Sequence, residues 1–409
     1  MASDSGNRQA GTFFYGWIIV ATLFVMLAFT SGLGFYNHAV ILRALIAERD
    51  FSPAVASSAI SVFFMTSGLA GLWVAHLLER QDVRFSIAAG GLCAGLSLAL
   101  VGHVNSVWQL YLLYTFFGIG FCASSMLPAT TLIARWFGKK RAFALSIAST
   151  GLSVGGILIT PMSAVLVKQV GLTQAGYWFG LCYTLGVLPL TWLTLRSRPS
   201  DMGLEPDGGP LNTQASAVDG VSFYRAMREH FFWGLSIAYL FVMLAQVGAI
   251  AHQYGLISER LAPGKEALAL SILPLFSIFG RLAGGYFMDN LSMRAFTLIM
   301  MSLQATSLAV MGLFTHEWVL MAGLAVFGLS VGNLLMLQPL MITRVYGLLH
   351  YSRIFSVSNL LTTFGVALGP GLMGLVYART ENYEWPFVVA ALSGFLAASL
   401  FLLFSRRLR

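Results

Sequence analysis

One arginine stands where an arginine is costly. Arg281 lies inside a long apolar run, about 12 Å of helix rise short of Asp289, too deep for its side chain to reach interfacial water comfortably. A guanidinium at such depth costs between about 2.5 and 17 kcal/mol, depending on the reference state. The sixteen acidic residues all fall in loops or at helix ends, so none on its own helix can offset that charge. A buried cation of this kind fits a site awaiting an anion, and its planar fork matches a carboxylate with two hydrogen bonds. The alternative is a structural cation bonded to helix carbonyls and water. His252, toward the end of another apolar run, carries an imidazole that titrates near neutral pH and can take a proton. Tyr36 and His38, Ser125 and Asn333 are polar residues in further runs that can line a cavity, with Tyr114, Gln338 and Asn359 behind them. Residues of that type also serve simply to join helices, at about 0.6 kcal/mol each. No nucleophile stands with a base and no His/Asp/Glu cluster is visible, so neither catalytic residue, metal nor cofactor is expected. Cys93, Cys122 and Cys182 sit in apolar runs and read as small core hydrophobes.

These residues need a lipid-embedded scaffold to hold them. Of the 409 residues 57% are hydrophobic and only 10% charged, where an ordinary soluble domain has about 25% charged. A hydrocarbon core about 30 Å thick takes about 20 residues per helix. Apolar runs between Pro, Gly and charge punctuation give spans near 15–42, 54–78, 84–103, 107–134, 142–168, 174–195, 230–257, 266–288, 295–314, 317–343, 354–378 and 386–405. The fold expected is therefore an all-α membrane protein of twelve transmembrane helices. The first run, Trp17 to Val40, is too long for a signal-peptide core of about 7–15 residues and reads as the first span.

Arg and Lys concentrate in alternate loops: seventeen, from Arg8 through the Arg135–Arg141 cluster to Arg409, against six at Arg43, Arg49, Lys168, Arg260, Lys265 and Arg379. That asymmetry predicts an inner-membrane protein with both termini cytoplasmic, and it accounts for the net charge of +8 without a nucleic-acid partner. A polar stretch from Ser197 to Ser222 predicts a linker, dividing the chain into 13–196, 197–224 and 225–409, two six-helix bundles about a cytoplasmic connection. The halves repeat at a nearly fixed offset. Glu79 and Arg84 match Asp289 and Arg294, while Arg135, Gly138, Gly156 and Pro161 match Arg344, Gly347, Gly365 and Pro370. Two parallel six-helix repeats place a site between them near the bilayer midplane.

The segment from Gly285 through Asp289 to Arg294 resembles the loop signature G-x-x-x-D-R/K-x-x-x-R of the major facilitator superfamily, with a degenerate first copy at Ala75, Glu79, Arg80, Asp82 and Arg84. The resemblance implies that Asp289, Arg294, Glu79 and Arg84 gate the cytoplasmic side. A narrower resemblance, to the monocarboxylate carriers and their bacterial relatives including oxalate:formate exchangers, rests on Trp136 to Ala144, Arg198 to Gly208 and Gly365 to Pro370. It implies carriage of short organic acids with a proton, Arg281 as the substrate-binding arginine of the eighth helix, and His252 as a site histidine of the seventh. Two departures follow. Ser277 stands where many such carriers have a proton-coupling Asp, so His252 would take the proton. The eleventh span lacks the Lys that oxalate exchangers use, so one fixed cation favours a monocarboxylate.

A potential of 100 mV, negative inside, opposes entry of a monoanion by about 2.3 kcal/mol, which symport of a proton offsets. The partners expected are thus a small organic anion, a proton and the bilayer, with the protein a monomer. An exporter or exchanger of another metabolite or drug is the nearest rival, but the fifth span has only Gly151, Gly155 and Gly156 with Pro161 of the expected G-x-x-x-G-P-x-x-G-G run. No charge rings or half-helices point to a channel.

Overall fold

In hydrocarbon every backbone N–H and C=O must find a partner within the protein, so each apolar run closes on itself as a helix. The computed structural model describes residues 14–208, 220–262, 265–288 and 292–405. Eleven helical stretches among them are long and apolar enough to cross a membrane. One, Arg141–Thr194, has 54 residues and would run about 80 Å at 1.5 Å per residue, more than twice a hydrocarbon core. Gly171 breaks it with φ 75° and ψ 167°, so it is two helices and the crossings number twelve among the described residues. In chain order they are α1 Gly16–Arg49, α2 Pro53–Arg80, α3 Val83–Leu100, α4 Val107–Trp136, α5 141–170, α6 172–194, α7 His230–Arg260, α8 Glu266–Met288, α9 Met293–Leu313, α10 Glu317–Tyr346, α11 Tyr351–Thr380 and α12 Glu384–Phe404.

The expected spans are recovered, and the largest difference in extent is in α1. It continues past residue 42 because its last residues are tied down. Arg49 donates to the Gly102 carbonyl and to Thr173 Oγ1 (2.6 Å), and Glu48 Oε2 accepts from the Leu172 N–H (2.8 Å), capping α6 where Gly171 turns the chain. Two helices of the first half are interrupted at mid-length. A π-turn over Ser31–Phe35 interrupts α1, and Ser125 (φ −114°, ψ −126°) interrupts α4, where Pro128 has no N–H to close onto the Ser124 carbonyl. The breaks adjoin: Thr30 Oγ1 donates to Ser125 Oγ at 3.4 Å, while Ser31 Oγ and Thr160 Oγ1 bridge α1 and α5.

The repeat appears in the packing. In the first six helices α1 packs on α5, α2 on α4, and α3 on α4 and α6; in the last six α7 packs on α11, α8 on α10, and α9 on α10 and α12. A side chain at Gly151 or Gly155 would collide with the backbone at Phe24 or Ala28 of α1, and one at Gly365 or Gly369 with the backbone at Leu240 or Leu244 of α7. Backbones approach this closely only at small residues, the usual device of helix pairs in membranes. Gly151 and Gly155 are thus the counterparts of Gly365 and Gly369. The match of Gly156 to Gly365 and Pro161 to Pro370 is displaced by five residues, and Gly156 faces the Tyr36 ring instead. Five residues turn a helix by about 140°, so the displaced match selects another face. Of the cysteines only Cys122 is buried, whereas Cys182 is exposed on the outside of the bundle.

The two sets of six helices meet along α2 with α11 and α5 with α8. Among the described residues, the side-chain hydrogen bonds and ion pairs that join them fall in the half of the molecule bearing the chain termini. They include Thr131 to Ser352 (3.1 Å), His350 to Glu79 (3.7 Å) and Arg281 to the Ser149 carbonyl. The closest glycine approach between the two sets, Gly285 on Ser146, lies in the same half, and Gly68 meets Leu360 and Thr363 near mid-length of α2 and α11. The structure is therefore shut at the terminus-bearing end. The segment after α6 fastens to that end, where Ser197 Oγ donates to Asp82 Oδ1 (2.6 Å), the Trp136 indole donates to the Arg196 carbonyl (3.0 Å), and Asp207 accepts from the Gly138 and Lys139 amides. Burial works against the Asp82 charge, but hydrogen bonds from the Arg84 side chain, from Ser197 and from the Arg84 amide outweigh it and hold the carboxyl down at about 2.

Candidate functional site

Arg281 stands on α8, one helical turn after Ser277, and is 2% exposed. Its position is set by close packing, because a side chain at Gly280 would strike Leu329 of α10 and one at Gly332 would strike the Ser277 carbonyl. With α8 and α10 drawn together, Arg281 Nε donates to the Gly332 carbonyl at 3.1 Å and Nη2 to Ser277 Oγ at 3.4 Å, while Nη1 reaches the Ser149 carbonyl of α5. Among the described residues it forms no ion pair. Its bonds to helix carbonyls are those of the structural-cation alternative; these neutral dipoles satisfy N–H groups but leave the formal charge. A guanidinium has five N–H donors, and three are engaged, leaving one on each terminal nitrogen for a two-oxygen anion.

Two other expected residues come close. Tyr36 follows the π-turn of α1 and lies near enough for its phenol to feel the Arg281 charge. Its ring packs on Gly156 of α5, and it is 39% exposed. Asn333 of α10 donates Nδ2 to the Gly280 carbonyl (2.8 Å) and the Leu329 carbonyl (2.9 Å), beside Arg281, and its Oδ1 has no hydrogen-bond partner. Its role there includes holding α8 to α10.

The remaining candidates stand elsewhere. His252 is half-buried on α7 with Nε2 at 3.0 Å from the Pro370 carbonyl of α11 and its ring beside Tyr383. Counting along the helices, it lies about 10 Å nearer the open end than Arg281, and no contact joins them among the described residues. Ser125 is the break in α4, bonded to Thr30. His38 is buried against Phe63, Phe64, Tyr114 and Phe117, separately from Arg281.

Of the four gating residues, Asp289 lies outside the described residues. Glu79 is the one whose side chain reaches across, to His350 at the start of α11. Arg84 pairs with Asp82 at 2.6 Å rather than with Glu79, and stacks over Trp192; it fixes the turn into α3 within its own half. Arg294 donates to Ser405 Oγ (2.9 Å) and the Leu402 carbonyl (3.2 Å), tying α9 to the end of α12. Sequence reasoning missed Ser149 and Gly332, which act through backbone carbonyls that any residue carries; the run Gly151, Gly155, Gly156 was the available sign that α5 approaches a neighbour closely.

The sequence model of the Major Facilitator Superfamily matches residues 24–314 and 266–409. Similar curated proteins include monocarboxylate transporter 11 of Mus musculus, 25% identical over 95% of this chain and 86% of that protein. The MFS-type transporter YcxA of Bacillus subtilis is 20% identical over 90% of each chain. A solved structure of the Escherichia coli fucose:proton symporter FucP superposes with a TM-score of 0.70, covering 97% of this chain and all of that one at 15% identity, a likeness of fold. A family match along nearly the whole chain, a shared fold and twelve apolar crossings agree: this chain belongs to the Major Facilitator Superfamily and is a multi-pass membrane transporter, not an enzyme.

Proposed function

We propose that this transporter carries a small monocarboxylate, together with a proton, by alternating access, with the carboxylate held on Arg281. The observation that carries the reading is a guanidinium buried between the two sets of six helices, bonded to carbonyl and hydroxyl dipoles and to no acid among the described residues. One anionic group completes that site; a neutral sugar leaves its charge unanswered. Similarity to a monocarboxylate transporter of mouse supports the substrate class.

The same geometry supplies a coupling between binding and movement. Arg281 is one of the bonds that shut the terminus-bearing end, through the Ser149 carbonyl. A carboxylate on the two free N–H groups attracts the guanidinium by its full charge, where the Ser149 carbonyl offers only a dipole, so a bound anion draws Arg281 toward itself and loosens α8 from α5. With the termini cytoplasmic, as the basic loops favour, the closed end faces the cytoplasm of the cell's inner membrane and the structure awaits its anion from outside. Glu79 and His350 hold the same end, and Tyr36 and Asn333 bound the site.

The test is a thermal-shift screen of purified protein against short, branched and aromatic carboxylates, followed by uptake of a stabilising compound into proteoliposomes. Ligand at 100 times Kd raises stability by about 2.7 kcal/mol. Arg281→Ala is expected to abolish both the shift and the uptake. Uptake that persists in Arg281→Ala sinks the assignment.

A further inference from the structure

We propose that His38 is the proton-binding site of this carrier, a reading that rests on the anion site at Arg281 proposed above. His38 begins the outer segment of α1 and is 5% exposed. Neither ring nitrogen has a hydrogen-bond partner in the protein, nor does the hydroxyl of Tyr114 of α4 (1% exposed), nor either amide atom of Asn37 (0% exposed). Five polar atoms in one buried layer without partners is far from the rule for buried polar groups. Around the imidazole stand Phe63 at 4.4 Å between ring centroids, Phe117 at 5.7 Å, Tyr114 at 5.8 Å and Phe64 at 5.9 Å.

That cage is already full. The imidazole occupies the space between the rings, so what the site can accept is a ligand without volume. A proton meets that condition. Cations are attracted to aromatic rings within about 6 Å of the centroid, a range that all four rings satisfy, Tyr114 stacking on the imidazole and the three phenylalanines meeting it edge to face. The titratable group facing His38 from α4 is Tyr114; α2 presents only Phe63 and Phe64; on its own helix Tyr36 stands two residues before it and Arg43 is exposed. No carboxylate among these neighbours would hold the ring permanently charged. His252, by contrast, already bonds the Pro370 carbonyl.

The step balances in atoms and charge. A proton from water in the open cleft forms one N–H bond on the His38 ring and is returned to water on the other side. The empty carrier has Arg281 as its one central charge; with a monocarboxylate and a proton bound the sum is unchanged, so both loaded and empty forms cross the potential alike. Tyr36 lies two residues before His38 on α1.

The experiment uses the full chain in liposomes with radiolabelled lactate and benzoate as probes, empty vesicles correcting for diffusion of the free acids. An inward gradient of one pH unit drives about tenfold accumulation in a one-to-one symport. His38→Gln and His38→Phe, the second keeping the aromatic packing, are expected to lose that tenfold accumulation, and their counterflow exchange is expected to lose its pH dependence. Carbon-13 labelling of the histidines gives a readout without any substrate: a resonance missing from His38→Phe should titrate in the wild type. The proposal is overturned if both variants still accumulate the probes, if that resonance stays fixed across the acid range, or if His252→Gln alone abolishes accumulation. Arg281→Ala separates the two readings, because intact counterflow in that variant removes the anion site whatever His38 does.

Discussion

The two buried sites are opposites. On α8 every nitrogen of Arg281 is bonded; on α1 neither nitrogen of His38 is. The contrast follows from charge. A guanidinium is charged in every state of the carrier, and an unbonded charge in a low-dielectric interior is too costly to keep, so the close-packed glycines of α8 and α10 bring carbonyls to it. A neutral imidazole tolerates missing partners at a cost of about 1–3 kcal/mol per group. One half of the molecule holds a constant charge, the other a deferred one.

The largest effect expected from breaking this contrast comes at Arg281. Arg281→Lys keeps the charge but loses the fork and with it the simultaneous bonds to Ser149, Gly332 and substrate; carboxylate affinity should fall about tenfold or more, equivalent to about 1.4 kcal/mol, in a thermal-shift titration. Equal affinity in the lysine variant would mean that only charge matters there. A sharper comparison uses two buried tyrosines. Tyr114→Phe removes a hydroxyl without a partner and should leave stability unchanged or raise it by about 1 kcal/mol at pH 8, whereas Tyr239→Phe removes the bond to the Leu334 carbonyl and should lower it by a similar amount. Both are read by thermal unfolding in detergent, and a loss in the first variant would show that Tyr114 is bonded after all. The smallest effect is at the gate. Glu79→Gln weakens a half-exposed pair with His350 and should shift the closed population by about 0.5 kcal/mol, seen as a broader spin-label distance distribution between the terminus-side ends of α2 and α11.

The twelve helices were legible because hydrocarbon imposes one solution on an apolar run, and Gly171 agrees with the loop expected between the fifth and sixth spans. Arg281 was legible for the same reason: in such a run it has to be explained. Its partners were not, since they are main-chain oxygens positioned by glycine contacts between helices far apart in sequence. The repeat offset selects the right helices but the wrong face of α5, because Gly156 and Pro161 fit the offset while Gly151 and Gly155 make the contact. The ion partner of Arg84 was not legible either, being Asp82 two residues away. The cage around His38 left no mark in the sequence beyond aromatic residues, which are ordinary in a lipid-facing chain.

The adjoining interruptions in α1 and α4 bear on how the carrier moves. A helix resists bending through its ladder of i to i−4 bonds, and at Ser31–Phe35 and Ser125 that ladder is already broken at one level. Of their counterparts, α7 runs without such a gap, and α10 stays helical through Pro339, where a single rung is missing. The two sides of the molecule then differ in stiffness, one behaving as a beam and the other as a forearm with an elbow, and the elbow sits between the segment that begins with His38 and the end of the protein that must come unfastened.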